Sequence, residues 1–198
     1  MSEMPSRRVE RKSRQRAANR AAIIDAARRV AAREGTSGLA LRAVAAEAGY
    51  APASVYEYFR NRAELVLALA AEDLAQLARV LRDLPKDHAT LSDAVAAALG
   101  VVQESGALGA ATTSLGASKV PPDAERLFNG RLIAALTSLA DASGRSHKTR
   151  GEQADVVLWA AIVAGLAVFL RSGRLKALGF EEQELLARLE SRFSAGLP

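Results

Sequence analysis

The chain has 198 residues, enough for one medium domain or two small ones, with a core that needs no covalent staples. It has no cysteine, which excludes a disulfide framework, a thiolate nucleophile and a thiolate metal site. The net charge of +5 is unevenly spread: residues 1–62 carry 13 Lys and Arg against 6 Asp and Glu, net +7, while residues 63–198 carry 14 against 16, net −2. A basic first part joined to a mildly acidic remainder points to a polyanion partner for the first part only.

Helical spacing runs through nearly the whole chain, and no run of alternating β-branched residues reads as a strand. The start, "MSEMPSRRVERKSRQRAANR", is charged where a signal peptide needs an apolar core. Residues 1–18 lack an apolar stripe and are expected to form a basic, mobile arm. The first helix is expected from Asn19, an N-cap type, with Ile23, Ile24, Ala27, Val30 and Ala31 as its buried stripe and Gly35 past its last turn. A short helix is expected over Leu41–Ala48, ended by Gly49. A third starts at Pro52, an allowed first-turn position, and ends near Phe59. Asn61 can cap a fourth, which carries Leu65, Leu69, Leu77, Leu81 and Leu84 and stops at "LPKDH".

Five more helices complete the pattern. They cover about Leu91–Glu104, Ala107–Leu115, Pro121–Ala142, Glu152–Arg171 and Glu181–Ala195. The longest apolar run, "VVLWAAIVAGLAVFL" from Val156 to Leu170, has fifteen residues, short of the roughly 20 that a spanning helix needs. It reads as a helix buried on most sides. The protein is expected to be soluble and cytoplasmic, with no membrane partner. The expected fold is all-α, in three parts: an arm over 1–18, a small basic helical domain over 19–62 and a larger helical domain over 63–198.

The aromatic residues are few: one Trp, three Tyr and five Phe. Four of them, Tyr50, Tyr56, Tyr58 and Phe59, crowd into "AEAGYAPASVYEYF", residues 46–59. The surrounding "LRAVAAEAGYAPASVYEYFR", Leu41 to Arg60, reads as two helices and a tight turn. Ala45 is small enough for close helix approach, Gly49 accepts a positive φ at the turn, and Val55 faces back onto Val44 and Ala45. This is the register of a helix-turn-helix, whose second helix presents its N-terminal residues to a major groove.

"LRAVAAEAGYAPASVYEYFRNRAEL" resembles the DNA-binding segment of TetR-family transcriptional regulators, and "NRAAIIDAARRVAAREG" resembles that family's first helix. The specific likeness covers residues 19–66; the remainder agrees in length and helix order. The resemblance implies that Tyr56 reaches a phosphate and that Phe59 locks the third helix into the small core. Arg62 stands where the family usually has lysine, and either cation contacts phosphate. Three positions depart from the family pattern: Ala40 and Ala51 replace hydroxyl residues, and Ala53 replaces a frequent glycine. Pro52, Ala53 and Ser54 are placed for the groove, where such short side chains read thymine methyls and shape. Arg42 is a candidate phosphate or base contact. Tyr50 is either a contact or a lid on the core.

The resemblance further implies that the later helices form a regulatory and dimerisation domain. Ala160, Ala161, Ala164 and Gly165 permit close packing in the Val156–Leu170 helix. Leu185, Leu186, Leu189 and Phe193 stripe the last one. Two such helices from each of two subunits would form a four-helix bundle; packing within one chain is the alternative. An effector pocket is expected among Leu99, Val102, Gln103, Leu108, Thr112, Leu115, Phe128, Arg131, Leu132 and Trp159. Its apolar walls suit a small, largely apolar effector, with Gln103, Thr112 and Arg131 as polar contacts.

The expected function is a dimeric repressor released from double-stranded operator DNA by a small molecule. The alternative is an effector-independent activator or architectural DNA binder. An enzyme is not expected: there is no cysteine and no Gly-rich phosphate loop, and the two histidines, His88 and His147, lie far apart in polar surroundings. No metal and no cofactor is expected, and both histidines read as solvated loop residues. The 22 Arg against 5 Lys, with abundant alanine, suggest a GC-rich bacterial source.

Overall fold

The computed structural model describes residues 4–85, 90–115 and 120–194. The described residues form helices and turns, with no strand. The helices are α1 (Met4–Glu34), α2 (Leu41–Ala48), α3 (Pro52–Tyr56), α4 (Arg62–Arg82), α5 (Leu91–Glu104), α6 (Gly106–Leu115), α7 (Pro122–Ala142), α8 (Arg150–Arg171), α9 (Arg174–Ala177) and α10 (Glu182–Ser194). Contacts divide the chain into two compact units. One comprises Met1–Leu69 with Gly109–Glu125, and the other Ala70–Leu108 with Arg126–Pro198.

The start of α1 differs from expectation. The segment read as an arm through residue 18 is helical from Met4, and Asn19 lies inside the helix rather than at its cap. Between Arg7 and Ala18 there is no Gly or Pro, and Arg, Glu, Lys, Gln and Ala are strong helix formers. Glu10 pairs with Arg14 at 3.5 Å and Gln15 donates to Asn19 at 2.8 Å, both one turn apart. Propensity therefore carries the helix on beyond the point where its apolar stripe ends. Of the expected stripe, Ile23, Ile24, Ala27 and Val30 are buried and Ala31 is half buried.

In the second unit, α5 packs against α8 and α10. Leu91, Val95 and Leu99 are fully buried, as is nearly all of Trp159. The edge of the Trp159 ring meets Phe193 at 5.7 Å between centroids. Arg145, from the loop before α8, lies over Trp159 and donates to the Phe193 carbonyl and to Glu190, at 2.9 and 3.1 Å. Glu190 also accepts the Ser92 N–H at the start of α5, at 2.8 Å. One arginine thus joins a loop to the last helix, and one glutamate joins that helix to α5. Asp73 of α4 is buried and accepts from the Ser105 hydroxyl, which in turn accepts the Leu108 N–H of α6. A buried carboxylate needs such donors to offset the loss of its hydration.

The apolar run in α8 departs from expectation. The helix has 22 residues and, by length and composition, could cross a membrane. Only one stripe, Val156, Trp159, Val163, Leu166 and Ala167, is buried. The other side leaves Val157, Leu158, Ile162, Val168 and Phe169 exposed. A helix packed on one flank covers one stripe, so a run that is apolar all round leaves the remainder open. This open side continues into a groove of about 620 Å³ lined by Gly165 and Phe169 of α8, Leu178 and Phe180 beyond α9, and Leu185 of α10. A second groove of about 830 Å³ lies between α7 and α8, with Ile133, Val157 and Leu158 on its walls and His147, Arg150 and Gln153 at its polar end. His147 stands 3.8 Å from Asp141. His88 lies outside the described residues.

Both α5 and α8 start with a reciprocal capping box, Thr90 with Asp93 and Thr149 with Glu152. The Thr90 hydroxyl first, and then the Thr90 N–H, hold the Asp93 carboxyl below its usual range, and the Thr149 N–H does the same for Glu152. Thr149→Ala is expected to cost about 1 kcal/mol by leaving the Glu152 N–H without its acceptor. A urea midpoint lowered at unchanged transition slope checks this.

Candidate nucleic-acid interface

Three helices and a 3-10 turn, Thr36–Gly38, build the basic end of the chain. Ile23, Ala27 and Val30 of α1, Leu39, Val44 and Ala45 around α2, and Val55 and Phe59 around α3 are all fully buried. Helix α2 starts at Ala40, whose side chain makes no capping bond, and stops at Gly49. There φ is +71° and the N–H of Tyr50 returns to the Ala45 carbonyl at 2.9 Å. Glycine reaches this left-handed conformation without the Cβ penalty, so the turn is sharp enough to bring α3 back across α2.

Helix α3 has five residues and begins with Pro52 at its first position. Ala51 gives it no side-chain cap, so the backbone supplies what holds its start: Ser54 N–H donates to the Ala51 carbonyl at 3.0 Å. Its far end is wound by two bonds onto one carbonyl, from Tyr58 and Phe59 to Val55, each 3.0 Å. That winding turns the Phe59 ring into the core while Tyr56 stays half exposed at 50%.

The aromatic cluster thereby divides its work. Phe59 is buried beneath the Arg20 guanidinium, 5.1 Å from the ring centroid. Tyr58 accepts a hydrogen bond from Asn19 at 3.1 Å and has Arg16 over its ring at 5.4 Å. Arg16 also donates to the Glu57 carbonyl at 3.3 Å, where α3 ends. Asn19, Arg16, Arg20 and Tyr58 thus fix α3 to α1. Sequence reasoning did not single them out for this. The available signal was the i, i+4 spacing of Arg16 and Arg20 on the flank that carries Ile23 and Ala27.

The residues expected at DNA fall as follows. Arg42 in the first turn of α2 is exposed, as are Pro52, Ala53, Tyr56 and Arg62; Tyr50 and Ser54 are half buried. Arg62 also donates to the Thr36 carbonyl at 2.7 Å, tying the start of α4 to the 3-10 turn. Asn61 caps α4 through the Glu64 N–H at 2.9 Å, as its sequence position predicts. The outward side of α3 is therefore short and nearly uncharged, with cations at its margins. This arrangement can approach base edges closely while the cations meet phosphate.

The residues expected around an effector do not share one environment. Leu99, Phe128 and Trp159 are buried; Val102, Gln103, Leu108, Leu115 and Leu132 are half buried; Thr112 and Arg131 are exposed. Thr112 falls in the first compact unit, and Leu99, Val102, Gln103, Leu108, Phe128, Arg131 and Trp159 in the second. None of these residues lines either groove beside α8.

Residues 23–69 match the family model described as bacterial regulatory proteins, tetR family. The nicotine-responsive transcriptional repressor HdnoR of Paenarthrobacter nicotinovorans is 47% identical over 57 residues, which are 29% of this chain and 29% of that repressor. The match thus spans less than a third of that relative. Among solved structures, a TetR transcriptional regulator from Rhodococcus sp. RHA1 superposes with a TM-score of 0.68 at 20% identity, over 93% of this chain and 100% of that one. The regulator FadR from Bacillus subtilis, in complex with stearoyl-CoA, gives 0.59 at 20% identity, over 86% and 97%.

One electrostatic contact holds α2 to α1. Glu47 receives Arg29 at 2.6 Å and Arg33 at 3.1 Å, and these bonds hold its carboxyl below the usual range. A carboxyl whose folded pKa is depressed adds stability above its unfolded value, about 4.3 for glutamate, and loses it as pH falls toward the folded value. The stability difference between the protein and its Glu47→Gln variant is therefore expected to be constant near neutrality and to shrink below about pH 4.3. Melting temperatures of both proteins across that range check it; Asp93 and Glu152 cancel, being common to both.

Proposed function

We propose, taking as premise the TetR-family transcriptional regulator that this chain is, a dimeric repressor that leaves its operator when a small, largely apolar molecule binds. The observation that carries the DNA reading is the exposed side of α3. Pro52, Ala53 and Tyr56 face outward while Val55 and Phe59 anchor the same short helix. In this reading Arg42, Tyr56 and Arg62 contact phosphates and set the register. Pro52, Ala53 and Ser54 meet base edges, and Tyr50 borders the contact.

The uncovered apolar side of α8 and its groove with α10 support dimerisation. Monomeric surfaces rarely leave so contiguous an apolar patch, and a second copy is the partner that buries it symmetrically. Gly165 lies in that patch with no atom within 4 Å of where a Cβ would stand, leaving room there for a second helix to approach closely.

The effector reading draws support from two relatives, a repressor named as nicotine-responsive and a FadR holding stearoyl-CoA. Within this chain, the buried indole Nε1 of Trp159 has no acceptor among the described residues. A polar atom on an effector would satisfy that donor, which is worth about 1–3 kcal/mol. Leu99, Val102, Gln103, Leu108, Phe128 and Arg131, in the same compact unit as Trp159, are the other candidate contacts. The effector must bind the DNA-incompetent state more tightly than the competent one, since equal affinity for both moves nothing.

Selection of binding sites from random duplex DNA tests the reading. The protein is expected to select a palindrome. Tyr56→Phe is expected to weaken binding by about 1–2 kcal/mol without changing the preferred sequence. Changes at Ala53 or Ser54 are expected to alter that sequence. A consensus shifted by Tyr56→Phe and indifferent to Ala53 and Ser54 would remove α3 from the groove. Light scattering is expected to give the mass of two chains, falling to one in Gly165→Arg; an unaltered protein at the mass of one chain would refute the dimer.

A further inference from the structure

Residues 7–14 of α1 lie outside the segment matched by the family model and are all exposed. Arg7, Arg8, Arg11, Lys12 and Arg14 are all exposed on regular helix. One acid, Glu10, lies among them and is paired with Arg14 at 3.5 Å. The spacing is self-repelling: Arg7 with Arg11, Arg8 with Lys12 and Lys12 with Arg16 are like charges one turn apart. Such pairs destabilise a helix in water. A polyanion alongside would turn that repulsion into attraction.

The position of the segment is set by contacts already described. Arg16 is bonded to Glu57, the residue that ends α3, and stacks on Tyr58. The helix therefore passes the C-terminal end of α3 and continues beyond it. From Arg16 back to Arg7 is nine residues, about 14 Å at 1.5 Å per residue. A major groove is about 12 Å wide. A cationic rod anchored at the end of α3 and projecting that far is long enough to span such a groove.

We propose that residues 7–14 form a second DNA-contacting element, an electrostatic clamp on the phosphates flanking the site held by α3. This inference rests on the DNA reading above and adds to it an element that carries affinity and no sequence information.

The test uses the full chain and the duplex it selects. The variant Arg7→Gln, Arg8→Gln, Arg11→Gln, Lys12→Gln is compared with the unaltered protein by affinity against salt and by hydroxyl-radical footprint. A second variant replaces Arg7, Arg8 and Arg11 with Lys. The Gln variant is expected to flatten the log–log salt dependence by about 2–4, at about 0.9 per lost phosphate contact. Its affinity should fall about tenfold or more at 0.1 M salt, and its footprint should shorten at the outer edges. The preferred sequence should stay the same. The Lys variant should keep the slope of the unaltered protein. An unchanged slope and footprint in the Gln variant would overturn the clamp while leaving the role of α3 intact. So would an equal loss in the Lys variant, which would point to packing rather than charge. If the unaltered chain selects no duplex, both the repressor reading and the clamp fall, and that is evident before any variant is made.

Discussion

The burial of Phe59 is the constraint on which the basic end of the protein depends. A five-residue helix cannot hold itself together in water, because nucleating a helix costs more than so few backbone bonds return. Helix α3 therefore exists because its ends are held. Pro52 presets the backbone at the start, and the chain winds onto the Val55 carbonyl at the finish, driving the Phe59 ring into a core made by α1 and α2. Asn19, Arg16 and Arg20 then close that end from the side of α1. Val55 and Phe59, four residues apart and joined by the Phe59 N–H to the Val55 carbonyl, share the inward face, and Tyr56, one residue after Val55, points about 100° away from it.

Much of this was legible in the sequence because it rests on local rules. Gly49 announces the turn, Pro52 the start of α3, Asn61 the start of α4, and Ile23, Ala27 and Val30 the buried stripe of α1. The bounds of α2 and α5 follow from such signals alone. Where expectation and structure part, the cause is non-local or cumulative. The beginning of α1 lacks an apolar stripe, which hid a helix held by propensity and by the Glu10–Arg14 and Gln15–Asn19 contacts one turn apart. The run in α8 is apolar on all sides, so its sequence could not say which stripe would be covered within one chain. The roles of Tyr58 and Arg16 depend on residues about forty positions apart, a separation at which periodicity carries no information.

The second unit uses a different means to the same end. Its long helices are tied at their ends by reciprocal caps and by the chain of contacts from Ser92 through Glu190 to Arg145 and Trp159. Charged groups occupy the joints, and apolar surface is left over on α8. Covering that side would add apolar burial that packing within one chain does not supply.

The absence of side-chain caps at Ala40 and Ala51 bears on how such a protein diverges. Hydroxyls at these two positions would tie the starts of α2 and α3 to particular local bonds. With alanine in both places, the stability of the pair resides in Val44, Ala45, Val55 and Phe59, and Pro52 and Ala53 carry none of the packing. Substitutions at the exposed Ala53 are therefore expected to leave the packing of this segment unchanged, whereas Pro52 also presets the backbone of α3. The side chains that pack and the side chains that face outward occupy separate positions of one short segment, so most outward positions can vary without reshaping the core.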